Sequence, residues 1–253
     1  KHNEGYFNHN IESVRNLMFI ENYGKGLNIT VQVLDAIMCH NGEFALGKYM
    51  QKKKTKEDFL HEYKESYKNK DLLKTMRPMT LEGCVVRISD LIAYLGRDID
   101  DAVRLNILKR EELPESITKV LGSTTKEIVN TCVMDIIHNS YNKDYIKLSD
   151  EVFKAIVALK KFNYEHIYNK AMTKERVQEI TKMFELLFDT YIEDLKQNKE
   201  SSPIINSYLK NMVEDYKKNN TKERIVIDYI AGMTDDFFIR EYERITINDP
   251  TKN

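Results

Sequence analysis

The stretch Ile88-Ser89-Asp90-Leu91-Ile92-Ala93-Tyr94-Leu95-Gly96-Arg97-Asp98-Ile99-Asp100-Asp101-Ala102 decides the reading of this 253-residue chain. Together with the preceding Val85, the apolar residues Ile88, Ile92, Leu95 and Ile99 recur at steps of three and four, the stripe of a helix packed on a core. Asp90, Tyr94 and Asp98 step by four. At about 100° per residue they fall roughly opposite that stripe. Acid, phenol and acid are thus stacked along one helix face. Such a face is either solvated surface or the wall of a site for a metal ion and a sugar.

Outward from this stretch, helices continue in both directions. Thr80 can cap the helix, and Glu82 in its first turn suits the helix dipole. Upstream, Asn8 or Asn10 can cap a helix running through Ile11, Val14, Leu17 and Met18. Thr30 can cap a second, with Val33, Leu34, Ile37 and Met38 on its apolar face and Gly42 as its stop. Residues 43–79 read as a lysine-rich connection containing a helix near Glu57 to Tyr67 and ended by Pro78. Downstream, helices are expected over about Lys126 to Asn139, after Ser149, and from Thr173 to about Gln197. Asn198 to Pro203 is a polar loop. Two shorter helices follow, with Asp228 to Met233 in or near the last, and Ile225 to Ile227 as a short strand candidate.

Composition bounds the rest. With only 9 Gly and 4 Pro, breakers are scarce, and the expected fold is all-α: a helical bundle with additional C-terminal helices. Lys+Arg 39 against Asp+Glu 40 argues against a dedicated nucleic-acid binder. Cys39, Cys84 and Cys132 form no CxxC pair and read as buried free thiols in a reducing, cytoplasmic setting. No apolar run is long enough for a membrane span. His61-Glu62 is not a zinc-protease helix, because position 65 is Glu. Gly24-Lys25-Gly26 lacks the spacing of a phosphate loop. Lys52-Lys53-Lys54 reads as a solvated run. His40, His138 and His166 suit capping or surface roles, and Tyr141, Tyr145 and Tyr164 suit packing or, for some of them, the lining of a base pocket.

The segment Thr80 to Ala102 resembles the signature helix of the dGTPase-like deoxynucleoside triphosphate triphosphohydrolases, a branch of the HD-domain metal-dependent phosphohydrolases. Three further stretches resemble that family in the same order: Gly5 to Arg15, Gly26 to Thr30 with Ala36 to Gly42, and Asp228 to Asp235. The resemblance implies an HD-domain-like bundle. Residues 1–110 would be the C-terminal part of the catalytic core, and 111–253 a helical region packed on it as one continuous unit. It also implies an enzyme that converts a dNTP, dGTP by default, to deoxynucleoside and triphosphate.

By the same resemblance, Asp90 is a ligand of a divalent metal ion (Mn, Mg or another transition metal). Tyr94 packs on the deoxyribose and Asp98 contacts the sugar 3′-hydroxyl. His9 is the catalytic histidine on the phosphate side. The family's other ligands, a His and a His-Asp pair, are not found here. Histidines stand at 2, 9, 40, 61, 138 and 166, and none precedes Asp. Those ligands are expected upstream of Lys1, making these residues the C-terminal majority of an enzyme and inactive alone. The alternative is a non-catalytic helical nucleotide-binding or oligomerisation module. Two departures stand out: Arg97 where the family often has His, facing phosphate or solvent, and Asp236 where it commonly has Arg. Expected partners are dNTPs and further copies of the chain in a homo-oligomer, often a hexamer in this family. Nucleic acid enters only as a regulator, and no membrane is involved.

Overall fold

The computed structural model describes residues 4–41, 46–171 and 173–248. Its main helices are α1 (His9–Arg15), α2 (Val31–Met38), α3 (Lys56–Ser66), α4 (Leu81–Arg104), α5 (Glu115–Leu121), α6 (Thr125–Ser140), α7 (Asp150–Asn163), α8 (Lys174–Lys196), α9 (Glu214–Asn219), α10 (Lys222–Ala231) and α11 (Asp235–Asn248). Among the described residues, strand structure is limited to β1 (Lys48–Tyr49) and β2 (Ile146–Lys147), paired antiparallel with Lys48 opposite Lys147. The fold is all-α, as composition and periodicity require. Gly42 and the residues before Glu4 lie outside the described residues.

The chain divides into two compact units. One holds the described residues of Tyr6–Val14 and Ile29–Met172; the other holds those of Lys1–Gly5, Arg15–Asn28 and Thr173–Asn253. Residues 110 and 111, where the sequence places a regional boundary, lie within the first of these.

In the unit containing α4, that helix is the central element. Its buried face is Cys84, Ile88, Leu91, Ile92, Leu95, Ile99 and Ala102. The sequence-stripe residue Val85 is 45% exposed, because it lies one step of the helix away from Cys84, which takes the inward position instead. Leu121, Ile128, Cys132, Leu148, Ile156 and Leu159 pack on this face. Each fully buried Ile or Leu contributes roughly 1.5–3 kcal/mol. Gly96 lets α6 approach closely: a Cβ there would stand 3.1 Å from the Thr125 Cα.

The start of α4 is fixed from several directions. Thr80 Oγ1 accepts from Gly83 N at 3.1 Å, capping the helix as its sequence position suggests. A Cβ at Gly83 would lie 2.6 Å from Pro78 Cβ, so only glycine lets the first turn pack there. Just upstream, Met79 N donates to Asp35 Oδ2 at 2.6 Å. Asp35, buried on α2, also pairs with Lys54 Nζ at 2.7 Å, and Lys54 reaches Glu62 Oε2 at 2.6 Å. The Lys54 side chain is 0% exposed. This corrects the solvated reading of Lys52-Lys53-Lys54: Lys52 and Lys53 are exposed, but the third lysine turns inward to two carboxylates.

The other unit is built on α8, whose C-terminal half buries Leu187, Tyr191 and Leu195 while Val177 and Phe184 stay about half-exposed. Ile204, Tyr216 and Val226 complete its core. Asp228 lies on α10, next to the last helix, α11. Ile225 to Ile227, the strand candidate, is helical within α10, where Ile225 and Val226 are buried. The Asp228 carboxylate, 0% exposed, accepts from Arg15 Nε at 2.7 Å and Nη2 at 2.6 Å, from Arg224 Nε at 2.9 Å, and from Tyr216 Oη at 2.8 Å. Two stretches singled out in sequence, around Arg15 and around Asp228, therefore meet through an ionic bond.

Candidate functional site

Residues at a pitch of four on one helix stay in register over two turns. α4 accordingly carries Asp90, Tyr94 and Asp98 on one side, each half-buried, with the Tyr94 ring packed against the core edge. The face is neither open surface nor sealed interior. Arg97, beside it, is 79% exposed in its side chain and lies 3.8 Å from Asp101. Asp100 turns away to Arg110 Nη2 at 2.6 Å and to Thr125, which holds its carboxyl below the usual carboxylate range.

Asp98 has a partner the sequence reading missed. Tyr168 Oη donates to Asp98 Oδ2. Burial raises the Asp98 carboxyl above its ordinary value, opposed by this hydrogen bond, while the nearby Asp101 adds to the rise. Burial likewise pushes the Tyr168 phenol up, helped by the Asp98 charge. Tyr168 reaches Asp98 because α7 runs into a wider π-helical turn, Tyr164–Tyr168. Asn163, buried at that junction, donates from Nδ2 to the Leu95 carbonyl of α4 at 3.1 Å. The available signal was the pair Tyr164 and Tyr168, one helical turn apart. Tyr164, read as packing, is 61% exposed, and Tyr141 is 74% exposed. Tyr145 does pack, under Lys48 Nζ at 3.9 Å.

His9 opens α1 and is exposed; Asn8, just before it, accepts from Glu12 N at 2.9 Å through its carbonyl. Asn10 is no cap: it is buried inside the helix and donates to the Met38 carbonyl at the end of α2. The His9 ring meets His40 edge-on, centroids 5.1 Å apart. His40 Nδ1 lies 2.5 Å from the Ile37 carbonyl, the helix-end role read for it. His166 stacks on Phe162 at 4.2 Å.

Three side chains from His, Cys, Asp and Glu are the least that would hold a catalytic cation, and no such group occurs among the described residues. Asp90 offers one carboxylate. The described residues do not fit a complete metal centre by themselves. The three cysteines are buried and free, with burial raising Cys39 and Cys132 to about 12 and Cys84 to about 11. They are packing residues, not ligands or nucleophiles.

Comparison with known proteins gives this geometry its context. Residues 146–244 match the phosphohydrolase-associated domain family. Proteins described as deoxyguanosinetriphosphate triphosphohydrolase-like are similar over most of the chain. One from Caldanaerobacter subterraneus subsp. tengcongensis is 33% identical over 198 residues, which is 78% of this chain and 49% of that protein. Another, from Clostridium perfringens strain SM101, is 36% identical over 178 residues, 68% of this chain and 44% of the relative. A third, from Rickettsia bellii, is 25% identical over 227 residues, covering 75% and 56%. The chain spans about half the length of the curated relatives it matches. It is a phosphohydrolase-related helical protein. More particularly, it belongs to the dGTPase-like group of the HD-domain superfamily. Among the described residues no helix is long and apolar enough to cross a membrane.

Proposed function

We propose that the chain forms the sugar-binding wall of a deoxynucleoside triphosphate triphosphohydrolase, with dGTP the default substrate. The observation that carries this reading is the half-buried face Asp90, Tyr94 and Asp98 on α4, in a chain whose relatives are described as dGTPase-like. A phenol ring backed by the core offers a flat apolar surface on which a deoxyribose can rest. Asp98, tethered at Oδ2 by Tyr168, keeps Oδ1 to accept from a sugar 3′-hydroxyl, and the tether fixes the orientation that acceptance needs. His9, exposed at the start of α1, donates to a phosphate oxygen. Asp90 is one oxygen donor to a divalent cation, Mn or Mg, whose remaining donors come from outside the described residues. The chemistry such a cation supplies is an activated water and charge compensation at phosphorus.

Homo-oligomeric assembly and a cytoplasmic location belong to the same reading. The test uses the protein as expressed from its gene, incubated with each dNTP and with Mn or Mg. Release of deoxynucleoside and triphosphate supports the proposal. Intact dNTPs, with binding retained and dependent on Tyr94, would favour a non-catalytic nucleotide-binding module instead.

A further inference from the structure

A deoxyribose laid along α4 as proposed above has its 5′-phosphate end towards Asp90 and its 3′-hydroxyl at Asp98. The base hangs from C1′, across the sugar ring from both of those ends. It therefore leaves sideways, over one flank of the helix rather than along its axis.

Two contacts show what stands on one flank. Asn163 Nδ2 donates to the Leu95 carbonyl at 3.1 Å, and Tyr168 Oη donates to Asp98 Oδ2. Residue numbers rise together in these pairs, so the π-helical turn Tyr164–Tyr168 advances along α4 in the same direction. Tyr164 directly follows Asn163 and so stands level with Leu95 and Tyr94. It shares a side of its turn with Tyr168, four residues on. Tyr94 lies close enough to Tyr168 for its charge to push the Tyr168 phenol up. The turn is held from behind: Asn163 and Ile167 are buried, and His166 stacks on Phe162 with ring centroids 4.2 Å apart. Tyr164 itself is 61% exposed. The other flank of α4 presents Ala93, too small to back a base, and Arg97, drawn to Asp101 at 3.8 Å.

We infer that Tyr164 is the stacking platform for the nucleobase, a specificity residue of the site whose sugar wall was proposed above, and the inference rests on that reading. Every base has a π-face, so an aromatic platform accepts all of them, and a purine gains more contact than a pyrimidine. A tyrosine ring turns about only two side-chain bonds, so little freedom is lost when a base settles on it. The labour is divided: α4 holds the sugar, and the turn after α7 responds to the size of the base.

The test measures ligand binding to the full-length protein without added divalent metal, so that nothing is turned over. Calorimetry compares dGTP, dCTP and inorganic triphosphate. Fluorescence follows the deoxynucleoside triphosphate of 2-aminopurine, whose emission is quenched when its base stacks. Tyr164→Ala should weaken dGTP by about tenfold and dCTP by less, while leaving inorganic triphosphate and the Tm of the free protein unchanged. Quenching should be lost in that variant and kept in Tyr164→Trp. Equal quenching and equal dGTP affinity in wild type and Tyr164→Ala overturn the inference. So does a loss shared by inorganic triphosphate, which marks a merely structural role. The two readings fail separately. Binding of dGTP that depends on Tyr94 but not on Tyr164 removes the platform and keeps the sugar wall, whereas absence of binding by any dNTP removes both.

Discussion

Replacing Asp228 with Asn tests whether the unit built on α8 depends on a buried ionic knot. The substitution keeps shape and removes one negative charge from between two arginines. Arg15 is 11% and Arg224 9% exposed in their side chains, and the carboxylate is fully enclosed. Arg15 spans both carboxylate oxygens, at 2.7 and 2.6 Å, while Arg224 Nη2 reaches Oδ1 at 2.8 Å. Asn offers one oxygen, and its amide donors face guanidinium groups that cannot accept. Removing one partner of a buried pair costs about 3–5 kcal/mol, and here two cations are left without their anion. For a chain of this size that corresponds to a fall in Tm of roughly 6–20 °C. Urea unfolding, followed by the transition that melts α8 and α10, measures it. A double substitution with Arg224→Met removes one stranded cation, so its cost should be smaller than the sum of the single costs. A loss below about 1 kcal/mol for Asp228→Asn would put the knot in the range of exposed ion pairs and refute the reasoning.

Lys54→Met strands Asp35 and Glu62 and should cost about 3–5 kcal/mol in urea unfolding, whereas a solvated lysine would cost almost nothing. Tyr168→Phe removes a donor that stabilises the charged form of Asp98, so the carboxyl, already raised by burial, should climb further; carbon-detected NMR titration showing a fall would contradict the bond. Thiols held at about 11 or 12 by burial should resist alkylation in the native protein at pH 8 and react once urea is added. Because the folded Cys39 value lies above the unfolded 9.0, its contribution to stability is complete below pH 9 and is lost as pH rises towards 12. Rapid native labelling of all three thiols would show that they are not enclosed.

The helices were legible where periodicity and caps agreed. Thr80, Ser149 and Thr173 cap α4, α7 and α8 with their side chains, as the residue types foretold. The inward position at Cys84 in place of Val85 was less legible, since both residues are apolar and only packing decides between adjacent positions. Lys54 illustrates a different limit. Its sequence context is a run of lysines, and only folding brings Asp35 and Glu62 to it. Asp90, Tyr94 and Asp98 share a face because their spacing alone dictates it. The tether from Tyr168 was hidden because it spans 70 residues and needs a π-helical turn that no local pattern announces.

Product analysis of dGTP turnover by the full-length protein with Mn tests the central reading most directly. The account predicts deoxyguanosine and inorganic triphosphate in equal amounts, with turnover lost in Asp90→Asn and KM raised in Tyr94→Ala. Release of deoxyguanosine monophosphate and pyrophosphate, or dGTP left untouched by protein that also fails to bind it, would contradict the account.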